Sequence, residues 1–210
     1  VVSKTHQDLS DEKWSKLNSD FHSLNESECR NINQPPYAEQ AIMLAMLIKY
    51  RIIDCTKMLD YAAGHGTLSK ILSNYFSVSL PVYDKYVTDN EYHYVSDLKE
   101  KYYSMVFNSA MFEHILKRSD LEDVHRLISH QGSLIIHTVI CENIPKDSSW
   151  FYLVPPVHTA FHTNRSMSIL MKQWGYRSSV YCIKAKSWIL LKSSFEQVEE
   201  AISLMNNELQ

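Results

Sequence analysis

Leu59-Asp60-Tyr61-Ala62-Ala63-Gly64-His65-Gly66-Thr67-Leu68 decides the reading of this chain of 210 residues. The apolar start, from residue 57, reads as a short strand. Gly64 and Gly66 then let the backbone turn sharply and come close to a ligand. From about Thr67 to Tyr75 the spacing is helical. A bend of small residues between a strand and a helix lies at the carboxyl end of that strand, where open α/β sheets bind their ligands.

Outward from the bend, strands and helices alternate. Strands are expected over residues 78–83, 105–108 and 133–139. A helix is expected over 121–129, with a turn at Gln131-Gly132. A second helix, over 166–174, is closed by Gly175. Two late strands, 177–183 and 187–191, are joined only by Lys184-Ala185-Lys186, a connection that suits an antiparallel pair at one edge. The tail over 195–209 reads as helical. This order predicts an α/β fold of the Rossmann-like three-layer type, with a mostly parallel sheet and an antiparallel edge pair near the C-terminus. Residues 1–36 are expected to form an N-terminal helical cap that Pro35-Pro36 ends. Residues 37–210 are expected to form one domain, opened by a largely buried apolar helix over 37–49.

Composition narrows the function classes. A 45% hydrophobic and 21% charged chain of this length can bury a single core. The net charge of −3 and the scattered Lys and Arg residues argue against a nucleic-acid partner. The longest apolar run, 41–48, is too short to span a bilayer. Cys29, Cys55, Cys141 and Cys182 form no close pair, which fits a reducing, cytoplasmic setting rather than a zinc ribbon or disulfide scaffold. The chain opens Val1-Val2 without Met, so a place in a longer chain stays open, and a homo-oligomer is a separate open expectation.

Twenty residues past Gly64 stands Asp84, at the tip of the second expected strand, where an acid can accept from both ribose hydroxyls of a nucleoside. Two cofactor types suit that geometry. A dinucleotide would set its diphosphate against the bend and the helix N-terminus. Asp60 would repel a diphosphate and suits a cation. The pattern Gly64-x-Gly66-x-x-Ser69 also lacks the third glycine of the dinucleotide fingerprint. Both points favour a cationic nucleoside, S-adenosylmethionine, with its ammonium and sulfonium, over a nicotinamide cofactor.

These residues resemble a known family. Leu-Asp-x-Ala-Ala-Gly-x-Gly-Thr is similar to the first motif of class I S-adenosylmethionine-dependent methyltransferases. Val82-Tyr83-Asp84 resembles their second motif, and Met105-Val-Phe-Asn108-Ser-Ala-Met-Phe-Glu113-His114 their fourth-strand motif. Gln131-Gly132-Ser133-Leu134 looks like the start of their fifth strand. Pro156-Val-His158, Phe161 and Trp174-Gly175-Tyr176 resemble a late segment of small-molecule and glycan members. The likeness runs over about residues 37–192. It implies cofactor contacts from Asp60, Ala62, Gly64, Gly66, Asp84 and Asn108, and an adenine-binding acid at Asp97. Tyr37 and Gln40 would fold over the methionine end. It implies methyl transfer to a small molecule or glycan, most simply at a hydroxyl, and a role in polysaccharide biosynthesis. A non-catalytic module of the same fold is the alternative. The departure is the short stretch between Asp84 and Asp97, too short for the usual second helix and third strand.

A hydroxyl acceptor calls for a base, and histidine suits that task. Candidates are His114, beside Glu113 after the fourth-strand motif, and His137, His158 and His162 in a long segment over 137–162. Each has a plain reading as well, as a histidine that bonds backbone and steadies a loop. The aromatic set Trp150, Phe151, Tyr152 and Phe161 reads as an acceptor platform or as ordinary packing. His137-x-x-x-Cys141 and His158-x-x-x-His162 have zinc spacing only on helices or tight turns. Pro155-Pro156 argues against a helix there, and no metal ligand is assigned.

Overall fold

The computed structural model describes residues 6, 8–28, 35–87 and 95–209. Cys29 and residues 33–34 of the expected cofactor flap lie outside them. Helix α1 spans Asp11–Glu28 and α2 Tyr37–Lys49, with Pro36 as its N-cap residue. Strand β1 (Met58–Tyr61) leads through the glycine bend into α3 (Thr67–Phe76), followed by β2 (Val82–Tyr83) and β3 (Tyr103–Ser109). Then come α4 (Arg118–Leu127), β4 (Ile128–His137), α5 (Asn164–Gln173), β5 (Ser178–Cys182) and β6 (Ser187–Leu191). A 3-10 turn, Phe195–Gln197, precedes α6 (Glu199–Glu208).

The described strands form one sheet in the order β2-β1-β3-β4-β6-β5. The first four run parallel, and β6 lies antiparallel to both β4 and β5. Alternation along each strand sends side chains to opposite faces, and two apolar cores result. Met58, Phe107, Ile135 and Ile189 pack with Leu44, Leu47, Leu72 and Ile202, under α2, α3 and α6. Leu59, Val106, Leu134, Ile136 and Leu190 pack with Leu121, Val124, Met167 and Leu170, under α4 and α5. The molecule is therefore the three-layer α/β sandwich with an antiparallel edge pair that the alternation of elements predicts. No helix among the described residues is long and apolar enough to cross a membrane.

Local departures have local causes. The second strand shrinks to Val82–Tyr83, because Ser69 Oγ takes the Leu80 carbonyl (2.6 Å) and Pro81 carries no N–H. The expected turn at Gln131-Gly132 is an irregularity inside β4. Between the pairs Tyr103/Ile128 and Met105/Ser133, β4 uses five residues for two of β3. A Cβ on Gly132 would stand 2.8 Å from the Tyr103 carbonyl oxygen and 2.7 Å from Ile128 Cγ2. Glycine serves here for close approach of two strands, not for reversal. The α4 helix stops at Leu127, two residues early, because Ile128 is already extended.

Candidate active site at the carboxyl ends of the strands

The bend after β1 is built from left-handed residues. Ala62, Gly64 and Gly66 have φ of 61°, 54° and 66°. Asp84, at the tip of β2, fastens the bend. Its Oδ2 accepts from Gly64 N (2.8 Å), and its Oδ1 accepts from Tyr86 N (2.8 Å) and Val87 N (3.0 Å). Asp60 lies inside, 2% exposed, and its Oδ1 has no hydrogen-bond partner. Burial first, and the neighbouring charge of Asp84 second, push its carboxyl well above the usual range. Asn108 donates from Nδ2 to the Tyr61 carbonyl (2.7 Å), which turns its own Oδ1 into a second buried oxygen without a donor.

Asp60 pairs in register with Phe107, so Asn108 is one residue further along the neighbouring strand. By alternation Asp60 lies on the α2 and α3 face and Asn108 on the α4 and α5 face. A ligand that meets both lies across the strand ends. Gln40, fully buried on α2, reaches the same rim through Ser109 Oγ (3.2 Å), and Tyr37 packs half-buried at the start of that helix. Asp97 is not at this end. It is exposed and lines a cavity of about 660 Å³ with Lys57, Ser79 and Tyr103, at the amino ends of β1–β3. The family resemblance implied a place for it beside the adenine. Val95 N bonds to the Val82 carbonyl (2.9 Å), which sets Asp97 toward the amino end of β2.

Two unpaired acceptor oxygens at these strand ends suit a donor-bearing, cationic group better than a diphosphate, whose added negative charge would lie near the Asp60 carboxyl.

Beyond β3 and β4 a second group of residues assembles. Glu113 is buried, and Thr138 Oγ1 donates to its Oε2 (2.9 Å). Tyr152 Oη lies 3.1 Å from Thr138 Oγ1 and accepts from Val139 N (3.2 Å). Burial pushes the Glu113 carboxyl up to about 7, against the pull of these hydrogen bonds. His158 Nδ1 lies 2.7 Å from the Tyr152 carbonyl, and His114 Nδ1 lies 3.3 Å from Asn18 Oδ1 on α1. The two imidazoles meet edge to face, 4.8 Å between centroids. The segment that carries His158 is clamped to the Glu113 loop by Thr159 N and Ala160 N, both donating to the Glu113 carbonyl (2.8 and 3.0 Å).

The other two histidine candidates stand apart from this group. His162 is buried and its Nε2 donates to the Phe112 carbonyl (2.8 Å), the plain loop-steadying role. His137, at the end of β4, is held neutral by burial, which pulls it down to about 4, far below the value of an effective base at neutral pH. Cys141 donates to the Asn143 carbonyl (2.9 Å), and among the described residues neither i,i+4 pair falls together in a group of three possible ligands. Of the aromatic set, Tyr152 and Phe161 pack 5.9 Å apart around Trp150, while Phe151 is exposed. Asn18, Thr138 and the hydroxyl of Tyr152 are residues that sequence reasoning missed, because nothing near them in the chain marks them.

The sheet order, the glycine bend at the end of β1 and the acid at the tip of β2 together define a class I methyltransferase fold. No protein-family model matches the sequence, and no curated protein matches it. Solved structures match the fold. Human N-acetylserotonin methyltransferase, in complex with SAM, aligns with a TM-score of 0.55 at 13% identity, over 88% of this chain and 57% of the human one. An O-methyltransferase family protein from Burkholderia thailandensis gives 0.53 at 13% identity, over 83% of this chain and 60% of its own. A SAM dependent methyltransferase from Archaeoglobus fulgidus gives 0.52 at 17% identity, over 76% of each chain. The chain thus spans less than two thirds of the human and Burkholderia proteins.

Proposed function

We propose that the chain is a methyltransferase that binds S-adenosylmethionine and methylates a small molecule or glycan at a hydroxyl. The observation that carries this reading is the pair of donor-less buried oxygens, Asp60 Oδ1 and Asn108 Oδ1, at the carboxyl ends of β1 and β3. Unsatisfied buried acceptors are costly, and a ligand with N–H groups and positive charge relieves both. Ala62, Gly64 and Gly66 would line the bend, Asp84 would hold the ribose, and Tyr37 and Gln40 would close the methionine end. When bound, the cofactor supplies an activated methyl group on its sulfonium. The chain then has to align the acceptor, exclude water and remove a proton. Glu113, His114 and His158 are the groups assigned to the acceptor side. Residues 37–210 form the methyltransferase domain in this reading, with 1–36 as its cap. A cytoplasmic setting and a part in polysaccharide biosynthesis belong to the same proposal.

Calorimetry with S-adenosylmethionine, S-adenosylhomocysteine and NADH tests it. Binding of the first two and not the third is expected. The second reading, a non-catalytic module of this fold, is favoured by Asp84, whose carboxylate already accepts from three backbone N–H groups. Silence towards all three ligands would leave that reading in place of the enzyme.

A further inference from the structure

Glu113, His114 and His158 each offer a ligand atom, and the three atoms lie within 4.8 Å of one another. We propose that they form a binding site for one divalent cation of the zinc class, beside the acceptor mouth. The inference goes beyond the cofactor reading and rests on the geometry of these side chains alone.

The tautomers are set by the neighbours. Asn18 is buried and donates through Nδ2 to the Trp14 carbonyl (3.0 Å), so the oxygen of its amide faces His114. An amide oxygen only accepts, so His114 Nδ1 carries the proton. The Tyr152 carbonyl likewise only accepts, so His158 Nδ1 carries the proton. In a neutral imidazole with Nδ1 protonated, the lone pair is on Nε2, the form that ligates a metal. Both rings are therefore held in the ligating tautomer by an oxygen behind them, the usual support of a metal-bound histidine. Glu113 is supported in the same way, with Thr138 donating to Oε2 and the Tyr152 hydroxyl behind Thr138.

Two imidazole nitrogens and one carboxylate oxygen are a ligand set that zinc accepts, with the fourth tetrahedral position left for a water or an acceptor oxygen. Calcium and magnesium ask for more oxygens than this site holds. The buried carboxyl of Glu113 has no Lys or Arg partner among the described ion pairs, and a dication would supply its counter-charge. The sequence spacing hid this set, because Glu113-His114 and His158 are more than forty residues apart and meet only through the clamp of Thr159 and Ala160 on the Glu113 carbonyl.

The full chain, stripped with a chelator, is titrated with zinc chloride by calorimetry and with cobalt(II) chloride by visible absorption. Saturable binding of a single ion is expected, with the intense absorption of four-coordinate cobalt. His158→Ala and His114→Ala should each weaken zinc at least about tenfold. Asn18→Leu removes only the oxygen behind His114 and should weaken it by about tenfold, the scale of a lost supporting contact. His130→Ala, on an exposed strand residue, should leave it unchanged. Circular dichroism checks that each variant is folded. Absence of saturable binding at micromolar zinc overturns the proposal, and so does binding that survives both His158→Ala and His114→Ala in folded protein.

Discussion

The two ends of the site are built in opposite ways. At the β1 bend the polar groups are under-satisfied: Asp60 and Asn108 each hold a buried oxygen with no donor. At the Glu113 end the groups are tied together, from Val139 N through Tyr152 and Thr138 to the carboxylate. The first region carries the cost of two unpaired buried acceptors. The second is pre-organised, with each side chain held by another. Substitutions in the two regions should therefore differ in sign as well as in size.

The largest effect is expected from Phe112→Ala. This ring is fully buried in the loop that carries Glu113 and packs 5.8 Å from His162. Its loss should cost about 3–5 kcal/mol in denaturant unfolding. A cost below 1 kcal/mol would show that the Glu113 loop is not rigidly held.

Next comes a pH effect from Glu113. Its carboxyl is raised from 4.5 to about 7 in the folded chain. Below about pH 4.5 both folded and unfolded forms are protonated, and the contribution of this group to stability is fully present. As pH rises from 4.5 through 7 the unfolded chain releases the proton first, and stability falls, by about 3 kcal/mol in all. Unfolding of the metal-stripped chain across that window should show the decline, and Glu113→Gln should flatten it. An equal slope in the variant would assign the proton elsewhere.

At the bend, Asp84→Ala should weaken S-adenosylmethionine by about 1.5–3 kcal/mol, the scale of a charge-assisted hydrogen bond. Calorimetry reads it, and unchanged affinity in a folded variant would remove Asp84 from the ribose. The smallest effect has the opposite sign for stability. Asp60→Asn removes a buried carboxyl whose ionised form is opposed by burial and by Asp84, and should raise the stability of the cofactor-free chain at neutral pH by about 1 kcal/mol while weakening the cofactor. A variant that loses both stability and affinity would erase the contrast between the two regions.

How much of this was legible in the chain follows from distance along it. Asp60, Gly64 and Asp84 stand within one strand-bend-helix-strand unit, where spacing and residue type state the geometry. Asp97 shows the limit. Its distance from Asp84 was readable, but not that Val95 pairs with Val82 and leaves Asp97 at the other end of the strands. Gly132 shows another: a glycine after a polar residue reads as a turn, yet here it lets β4 pass close to Tyr103. His114 meets Asn18 across 96 residues, and no periodicity reports such a contact.

The amino-acid order by itself determined the layer architecture, since alternating apolar strands and amphipathic helices have few ways to bury their faces. It also determined the glycine bend after β1, since left-handed φ at Gly64 and Gly66 is a local requirement. Only the tertiary structure decided which histidines share a site. Hydrogen bonds between loops, such as those from Thr159 and Ala160 to Glu113, form only after the strands that carry those loops have paired. His158 was thereby brought to Glu113, and His137 and His162 were left in the wall.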